Sequence, residues 1–188
     1  VDWREIKTKA QERVLFSKKP DVQQLVTVGR LTHQKGPDIL LKTAQMLAQD
    51  GIPFQWFWIG DGDMAASSKE KCHEYGLEDK VIFEGNQANP YPYIKLCDIY
   101  IQPSYYEAYC TTTIEAKVLQ KPIVVTDVCG MREQFKHGET ALIVGVKPEE
   151  IYAAIKQDGL KEYLMDNLKK QTNPMECLLS KYYQLFDE

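Results

Sequence analysis

The chain has 188 residues, 44% of them hydrophobic and 27% charged, the composition of one soluble globular domain long enough to bury a core. Its formal net charge of -4 excludes broad electrostatic binding to nucleic acid or anionic lipid, though not a local cluster that takes one anionic small ligand. Five scattered cysteines (Cys72, Cys97, Cys110, Cys129 and Cys177) form neither a disulfide framework nor a CxxC metal site. A reducing cytoplasm is therefore expected, with the full-length protein free to sit peripherally at a membrane. No apolar run reaches the roughly 20 residues of a membrane span, and no leader-like stretch is read. The start at Val1, inside a linker-like stretch, reads as a piece of something longer.

In chain order, residues 1–20 are charged and weakly patterned, with Trp3, Ile6, Val14 and Leu15 as docking residues. They are expected to form a linker or an edge helix. Residues 21–188 then read as one domain. Short β-branched or aromatic runs predict strands at Leu25–Val28, Phe54–Ile59, Val81–Phe83, Ile99–Gln102, Ile123–Thr126 and Ala141–Val144. Between the first two, Ile39, Leu40, Ala44 and Leu47 recur at helical spacing over Pro37–Gln49. Further helices are expected at Lys69–Tyr75, Ile94–Leu96, Thr112–Leu119, Met131–Phe135, Glu149–Ile155 and Lys161–Lys170, and from Pro174 to Phe186. Nearly all-apolar strands alternating with helices imply an α/β fold, a Rossmann-like parallel sheet covered on both faces. Such sheets bind ligands beyond the carboxyl ends of their strands, so the informative segments are the strand-to-helix loops.

The first of these loops runs from Gly29 to Gly36. Gly29 allows a sharp turn or a close ligand, Arg30 offers a planar fork of donors, and Lys35 a mobile charge, a set suited to a diphosphate. The same two cations also read as solvated surface charges. In the second loop, Gly60 and Gly62 could admit a ligand or form a tight turn. No third glycine completes GxGxxG, which disfavours nicotinamide-dinucleotide binding. The fourth loop, Pro103 to Ala116, carries two carboxylates eight residues apart, Glu107 and Glu115. On a continuous helix they would stand roughly 12 Å apart along the axis and about 80° around it. That spacing could let one carboxylate address a sugar and the other a ribose. It equally describes an acid at a helix start and a solvated glutamate one face along. His33 reads as a surface residue, His73 and His137 as structural or exposed, and Cys110 and Cys129 as small fillers. Of Tyr105, Tyr106 and Tyr109, at least one is expected in the core.

The run from Glu107 to Glu115 resembles the E-x7-E motif of retaining glycosyltransferases with the GT-B architecture, in particular family 4. Val28-Gly29-Arg30-Leu31 with Lys35-Gly36 is similar to that family's first loop. Ile59-Gly60-Asp61-Gly62 resembles its second loop and Val81-Ile82-Phe83-Glu84-Gly85 its third. Lys121 to Asp127, Gly130, Glu133 and Gly138 to Val144 continue the resemblance in order, over about residues 25–155. It implies the C-terminal, donor-binding half of a two-domain enzyme that transfers a hexose from a nucleotide sugar, a UDP-sugar by the family's habit. The acceptor, a glycan or glycoconjugate, would be held by a missing N-terminal domain. The resemblance gives Arg30 and Lys35 the donor diphosphate, Glu107 the transferred sugar, and Glu115 the ribose. Thr111 and Thr112 fall at phosphate contacts, and Glu84, Gly85 and Asn86 near the base. No metal ion or other cofactor is required. Where the family has Glu-Gly-Phe-Gly, this chain has Glu107-Ala108-Tyr109-Cys110, and Cys129-Gly130 replaces Gly-Gly. Residues with a Cβ disfavour positive φ, so a loop of different shape is expected. The alternatives are a binding module that holds a nucleotide sugar without transfer and a nucleotide-sugar epimerase domain.

Overall fold

The computed structural model describes residues 2–13, 18–157 and 159–170. Six strands form one sheet: β1 (Gln23–Val28), β2 (Phe54–Ile59), β3 (Val81–Gly85), β4 (Ile99–Gln102), β5 (Ile123–Thr126) and β6 (Leu142–Val144). Every pairing is parallel, and the order across the sheet is β3-β2-β1-β4-β5-β6. The chain thus builds outward from β1 to β3, crosses back to lay β4 on the other side of β1, and builds outward again. The reversal leaves a crevice between the loops that follow β1 and β4, where open α/β sheets take ligands.

Eight helices accompany the described strands: α1 (Trp3–Lys9), α2 (Pro37–Gln49), α3 (Ala65–Glu74), α4 (Tyr91–Leu96), α5 (Thr111–Val118), α6 (Met131–Gln134), α7 (Pro148–Lys156) and α8 (Leu160–Lys170). The strands are apolar on both sides because each face is covered. Leu25, Trp56, Trp58, Ile101 and Val124 pack with residues of α2, α7 and α8 such as Leu40, Ile151 and Leu164. Their neighbours Val26, Phe57, Tyr100, Ile123 and Val125 point the other way, onto Ile94 of α4 and Ile114 and Ala116 of α5. This is the two-residue period of a strand read by two separate cores.

The two buried tryptophans carry polar tips that must be satisfied. Trp56 donates its indole N–H to Thr27 Oγ1 at 3.1 Å, and that hydroxyl donates to the Ile101 carbonyl at 2.7 Å. Trp58 donates to the Gly29 carbonyl at 2.8 Å, so a core side chain fixes the first residue of the β1 loop.

Residues 3–9 form a true helix, α1, capped by the Asp2 carboxylate, which accepts from the N–H groups of Arg4 and Glu5. Ile6 is buried as expected, and α1 packs on α4 and α5. Val14, Leu15 and the expected last helix from Pro174 lie outside the described residues. At the amino ends of the strands Asp98, almost fully buried, accepts from Lys18, from Lys161 at 2.6 Å and from the Gln24 N–H at 2.9 Å. Burial alone would raise its pKa. The backbone and lysine hydrogen bonds outweigh that and hold it below the usual carboxylate value.

Candidate active site

Three glycines set the loops at the carboxyl ends of the strands against one another. A Cβ on Gly36, at φ 70°, would sit 2.0 Å from the Pro103 carbonyl oxygen, so the β1 loop and the β4 loop touch backbone to backbone. Gly60, at φ 132°, faces the Gly29 carbonyl in the same way, 2.1 Å from where its Cβ would be. Gly130, at φ 85°, meets the Ala108 carbonyl at 2.1 Å. At each of these places any other residue would both strain the backbone and push the loops apart. The Tyr105 N–H donates to the Gln34 carbonyl at 2.8 Å and Gln34 Nε2 to the Tyr106 carbonyl at 3.0 Å. Tyr105 also donates its hydroxyl to Asp38 at 2.6 Å and stacks on His33 with ring centroids 4.7 Å apart. Burial and the neighbouring Asp38 carboxylate push the Tyr105 phenol up to about 12.

These contacts bring together residues distant in sequence. Lys35 Nζ lies 2.5 Å from Glu107 Oε1, and both side chains are largely buried. The same oxygen accepts from Ser104 Oγ at 2.7 Å, which in turn accepts from Gln102 Nε2 at 3.1 Å. Tyr100 donates to Gln102 Oε1 at 2.9 Å, and Thr112 Oγ1 donates to the Val28 carbonyl at 3.3 Å. Tyr100, Gln102 and Ser104 have no solvent exposure.

Over this floor opens a cleft of about 360 Å³, bordered by Gly29, Arg30, Gln34, Lys35, Tyr106, Glu107, Tyr109, Thr111 and Thr112. It shares Val28, Gly29 and Arg30 with a smaller hollow of about 190 Å³, bordered also by Gly60, Asn86, Gln87 and Pro90. Together they fall in the range of about 300–1,000 Å³ common for ligand pockets. Helix α5 opens into the cleft with Cys110 at its N-cap and no side chain accepting from its first N–H groups. Two cations and free N–H groups around one cleft are what a phosphate-bearing ligand requires. A larger hollow of about 670 Å³ lies at the opposite end of the sheet, beside Lys18, Asp98 and Lys161. Its one deeply buried charge, Asp98, is already held on both oxygens. Among the described residues no group of three His, Cys, Asp or Glu is placed to hold a metal ion, and no helix is long and apolar enough to cross a membrane.

Of the residues singled out from sequence, Gly29, Arg30, Lys35, Gly60, Asn86, Glu107, Thr111 and Thr112 line the two joined hollows. Gly62, Glu84 and Glu115 do not. Gly62 is a packing glycine, its absent Cβ lying 2.3 Å from the Leu31 carbonyl oxygen. Glu84 lies within β3 and offers its backbone carbonyl to Gln87. Glu115 stands behind the smaller hollow on α5, where Tyr91, next to Pro90, donates to it at 3.4 Å. Burial raises the Glu115 pKa, and the Tyr91 hydrogen bond only partly opposes the rise.

Helix α5 begins at Thr111, one residue before the expected Thr112, so Glu107 belongs to the loop, Glu115 to the helix, and the spacing of a continuous helix does not apply. One reading is corrected. Tyr105, Tyr106 and Tyr109 are all exposed and none is in the core, because their loop stands at the rim. Neither Ala108 nor Cys110 takes a positive φ, as their Cβ atoms lead one to expect. Among the described residues the only non-glycine positive φ values are at Asp21 and Gln120, and Cys110 has φ -109°. Gln34, Gln102 and Ser104 were missed. A polar residue closing an apolar strand, as Gln102 does, is the one signal that could have pointed to them.

The model of the glycosyl transferases group 1 family matches residues 8–173. An uncharacterised glycosyltransferase of Methanocaldococcus jannaschii is 29% identical over 171 residues, covering 85% of this chain and 44% of its own length. The N-acetylgalactosamine-N,N'-diacetylbacillosaminyl-diphospho-undecaprenol 4-alpha-N-acetylgalactosaminyltransferase of Campylobacter jejuni is 29% identical over 168 residues, covering 89% of this chain and 43% of its own. The chain therefore spans less than half the length of these relatives. HepE of Anabaena, crystallised with UDP and glucose, superposes with a TM-score of 0.73 at 18% identity, covering 89% of this chain and 49% of its own. With the six-stranded parallel sheet, the crevice at its reversal and a family match over most of its length, this chain belongs to the group 1 glycosyl transferases, and its Rossmann-like α/β sheet matches about half of a GT-B structural neighbour.

Proposed function

We propose that the chain is the donor-binding domain of a retaining, family 4 type glycosyltransferase that moves a hexose-type sugar from a nucleoside diphosphate, a UDP-sugar first among candidates, to a glycan or glycoconjugate. The observation that carries this reading is the convergence of Arg30, Lys35 and the uncapped start of α5 on one cleft whose floor holds Glu107. Cleavage of the donor leaves a nucleoside diphosphate, and its growing charge is the main electrostatic demand of the reaction. Arg30 and Lys35 meet that charge with cationic donors, and the N–H groups of Thr111 and Thr112 add the dipole of α5. This arrangement uses no metal ion. Glu107 addresses the hydroxyls of the transferred sugar and Glu115 the ribose. Asn86 and the neighbouring Glu84 segment stand by the base. The acceptor binds across the cleft, on the part of the protein that lies beyond this chain, so the isolated chain binds a donor and transfers nothing.

Calorimetric titration with UDP, GDP and ADP tests the reading. One nucleotide is expected to bind, and Arg30→Ala and Lys35→Ala each to weaken it about ten-fold or more, the worth of a charge-assisted hydrogen bond. Binding that both variants leave unchanged would contradict a diphosphate site here. Sugar transfer by the isolated chain would contradict the division of labour.

A further inference from the structure

We infer that Ser104, backed by Gln102, is a positioning residue that holds the Glu107 carboxylate in place for the sugar while Lys35 turns to the diphosphate; the inference rests on the donor-cleft reading above. Glu107 Oε1 accepts from two groups, Lys35 Nζ at 2.5 Å and Ser104 Oγ at 2.7 Å, whereas neither contact falls on Oε2. An ionised carboxylate only accepts. Ser104 therefore spends its single hydrogen on Glu107 and can only accept from behind. Gln102 supplies that donor through Nε2 at 3.1 Å, which turns Oε1 of the amide toward Tyr100, 2.9 Å away. The direction of the whole buried chain, Tyr100 to Gln102 to Ser104 to Glu107, is fixed by the charge at its end.

Lys35 borders the same cleft as Arg30 and the start of α5, so a bound diphosphate competes with Glu107 for its ammonium group. Lys35 has the freedom to turn; Ser104 does not. It has no solvent exposure, and its backbone carbonyl accepts from Thr126 Oγ1 at 2.5 Å, which ties the serine to the end of β5. When the lysine swings to the phosphates, the serine bond keeps Oε1 where it is and leaves Oε2 for a sugar hydroxyl. Without the serine hydroxyl, Glu107 is tied to Lys35 alone and follows it toward the diphosphate.

The test compares a nucleoside diphosphate with its sugar conjugates on the intact protein. UDP, UDP-glucose, UDP-galactose and UDP-N-acetylglucosamine are titrated against the wild type, Ser104→Ala, Glu107→Gln and the double variant, with GDP and ADP and their glucose conjugates run in the same way. Ser104→Ala is expected to bind the diphosphate within two-fold of the wild type. It should lose about ten-fold in affinity for the preferred conjugate, and should add nothing to Glu107→Gln. Gln102→Leu is expected to show the same split to a smaller degree. Equal loss for diphosphate and conjugate, additive losses in the double variant, or no gain of any conjugate over its diphosphate in the wild type would overturn the inference and leave the diphosphate site standing. A wild type that binds no nucleotide would overturn the donor-cleft reading, and this inference with it.

Discussion

Each end of the sheet holds a buried carboxylate beside lysine, and the two are built for different ends. At the amino ends, Asp98 uses both oxygens: Lys18 and Lys161 occupy Oδ1 and the Gln24 N–H occupies Oδ2. Four pieces of chain, the segment before β1, β1 itself, the start of β4 and α8, meet on one side chain. At the carboxyl ends, Glu107 has both of its contacts on one oxygen and faces a cleft with Arg30 and the uncapped start of α5. A carboxylate with both oxygens engaged staples a fold. One with an oxygen left over, next to unspent donors, has something to hold. Volume alone would have pointed to the wrong end, since the larger hollow lies beside Asp98.

The comparison can be broken most forcefully at Asp98. Asp98→Asn removes the charge that Lys18 and Lys161 share and should cost about 2 kcal/mol in urea unfolding at pH 7, with nucleotide binding unchanged. The folded pKa of Asp98 lies below its unfolded value near 3.8. Its contribution is therefore fully present above that value and lost as pH falls through the lower, folded one. The variant should accordingly be less stable than the wild type at neutral pH and converge with it in strong acid. A constant difference between the two across the acid range would show that Asp98 stabilises by shape rather than by charge.

Glu115 sharpens the same contrast with a smaller effect of opposite sign. Its pKa is raised, chiefly by burial, so its ionised form is disfavoured by folding. The cost begins as pH rises past the unfolded value near 4.5 and is complete above the folded one. Glu115→Gln is thus expected to gain stability at pH 7 relative to pH 4, by under about 1 kcal/mol after solvent screening. It should weaken nucleotide binding if the carboxylate serves the ribose. A side chain that costs stability where it stands is kept for something other than the fold. Loss of stability at pH 7 in this variant would place Glu115 with Asp98 as a structural residue.

Most of the sheet was legible because its physics is local. Phe54–Ile59, Ile99–Gln102 and Ile123–Thr126 fall where their β-branched and aromatic runs predict, and Pro37–Gln49 where its apolar spacing and opening proline predict. Helix α3 begins at Ala65, four residues before the expected Lys69, because its buried face is only Ser68 and Cys72 and gives no apolar rhythm. Helix α4 begins at Tyr91, ahead of the expected Ile94: Pro90 stands at its N-cap and Pro92 fits the first turn, where the N–H is free anyway. The site divides in the same way. Gly29, Arg30 and Lys35 could be suspected from one loop. The pairing of Lys35 with Glu107 spans 72 positions, and no local pattern encodes it. The resemblance of ordered motifs assigns both residues to one donor site but does not pair them. The Gln102–Ser104 chain was reached by neither route: a buried polar relay leaves no period in the sequence, and its one trace is the polar residue that closes the apolar strand β4.

The most direct test of the central claim, that the crevice between β1 and β4 takes a nucleoside diphosphate, is a titration of amide shifts in the 15N-labelled protein with UDP. The account predicts that the largest shifts fall on Gly29, Arg30, Thr111 and Thr112, with Gln23, Asp98 and Lys161 unmoved. Shifts centred on Gln23, Asp98 and Lys161, with the β1 and β4 loops unchanged, would contradict it.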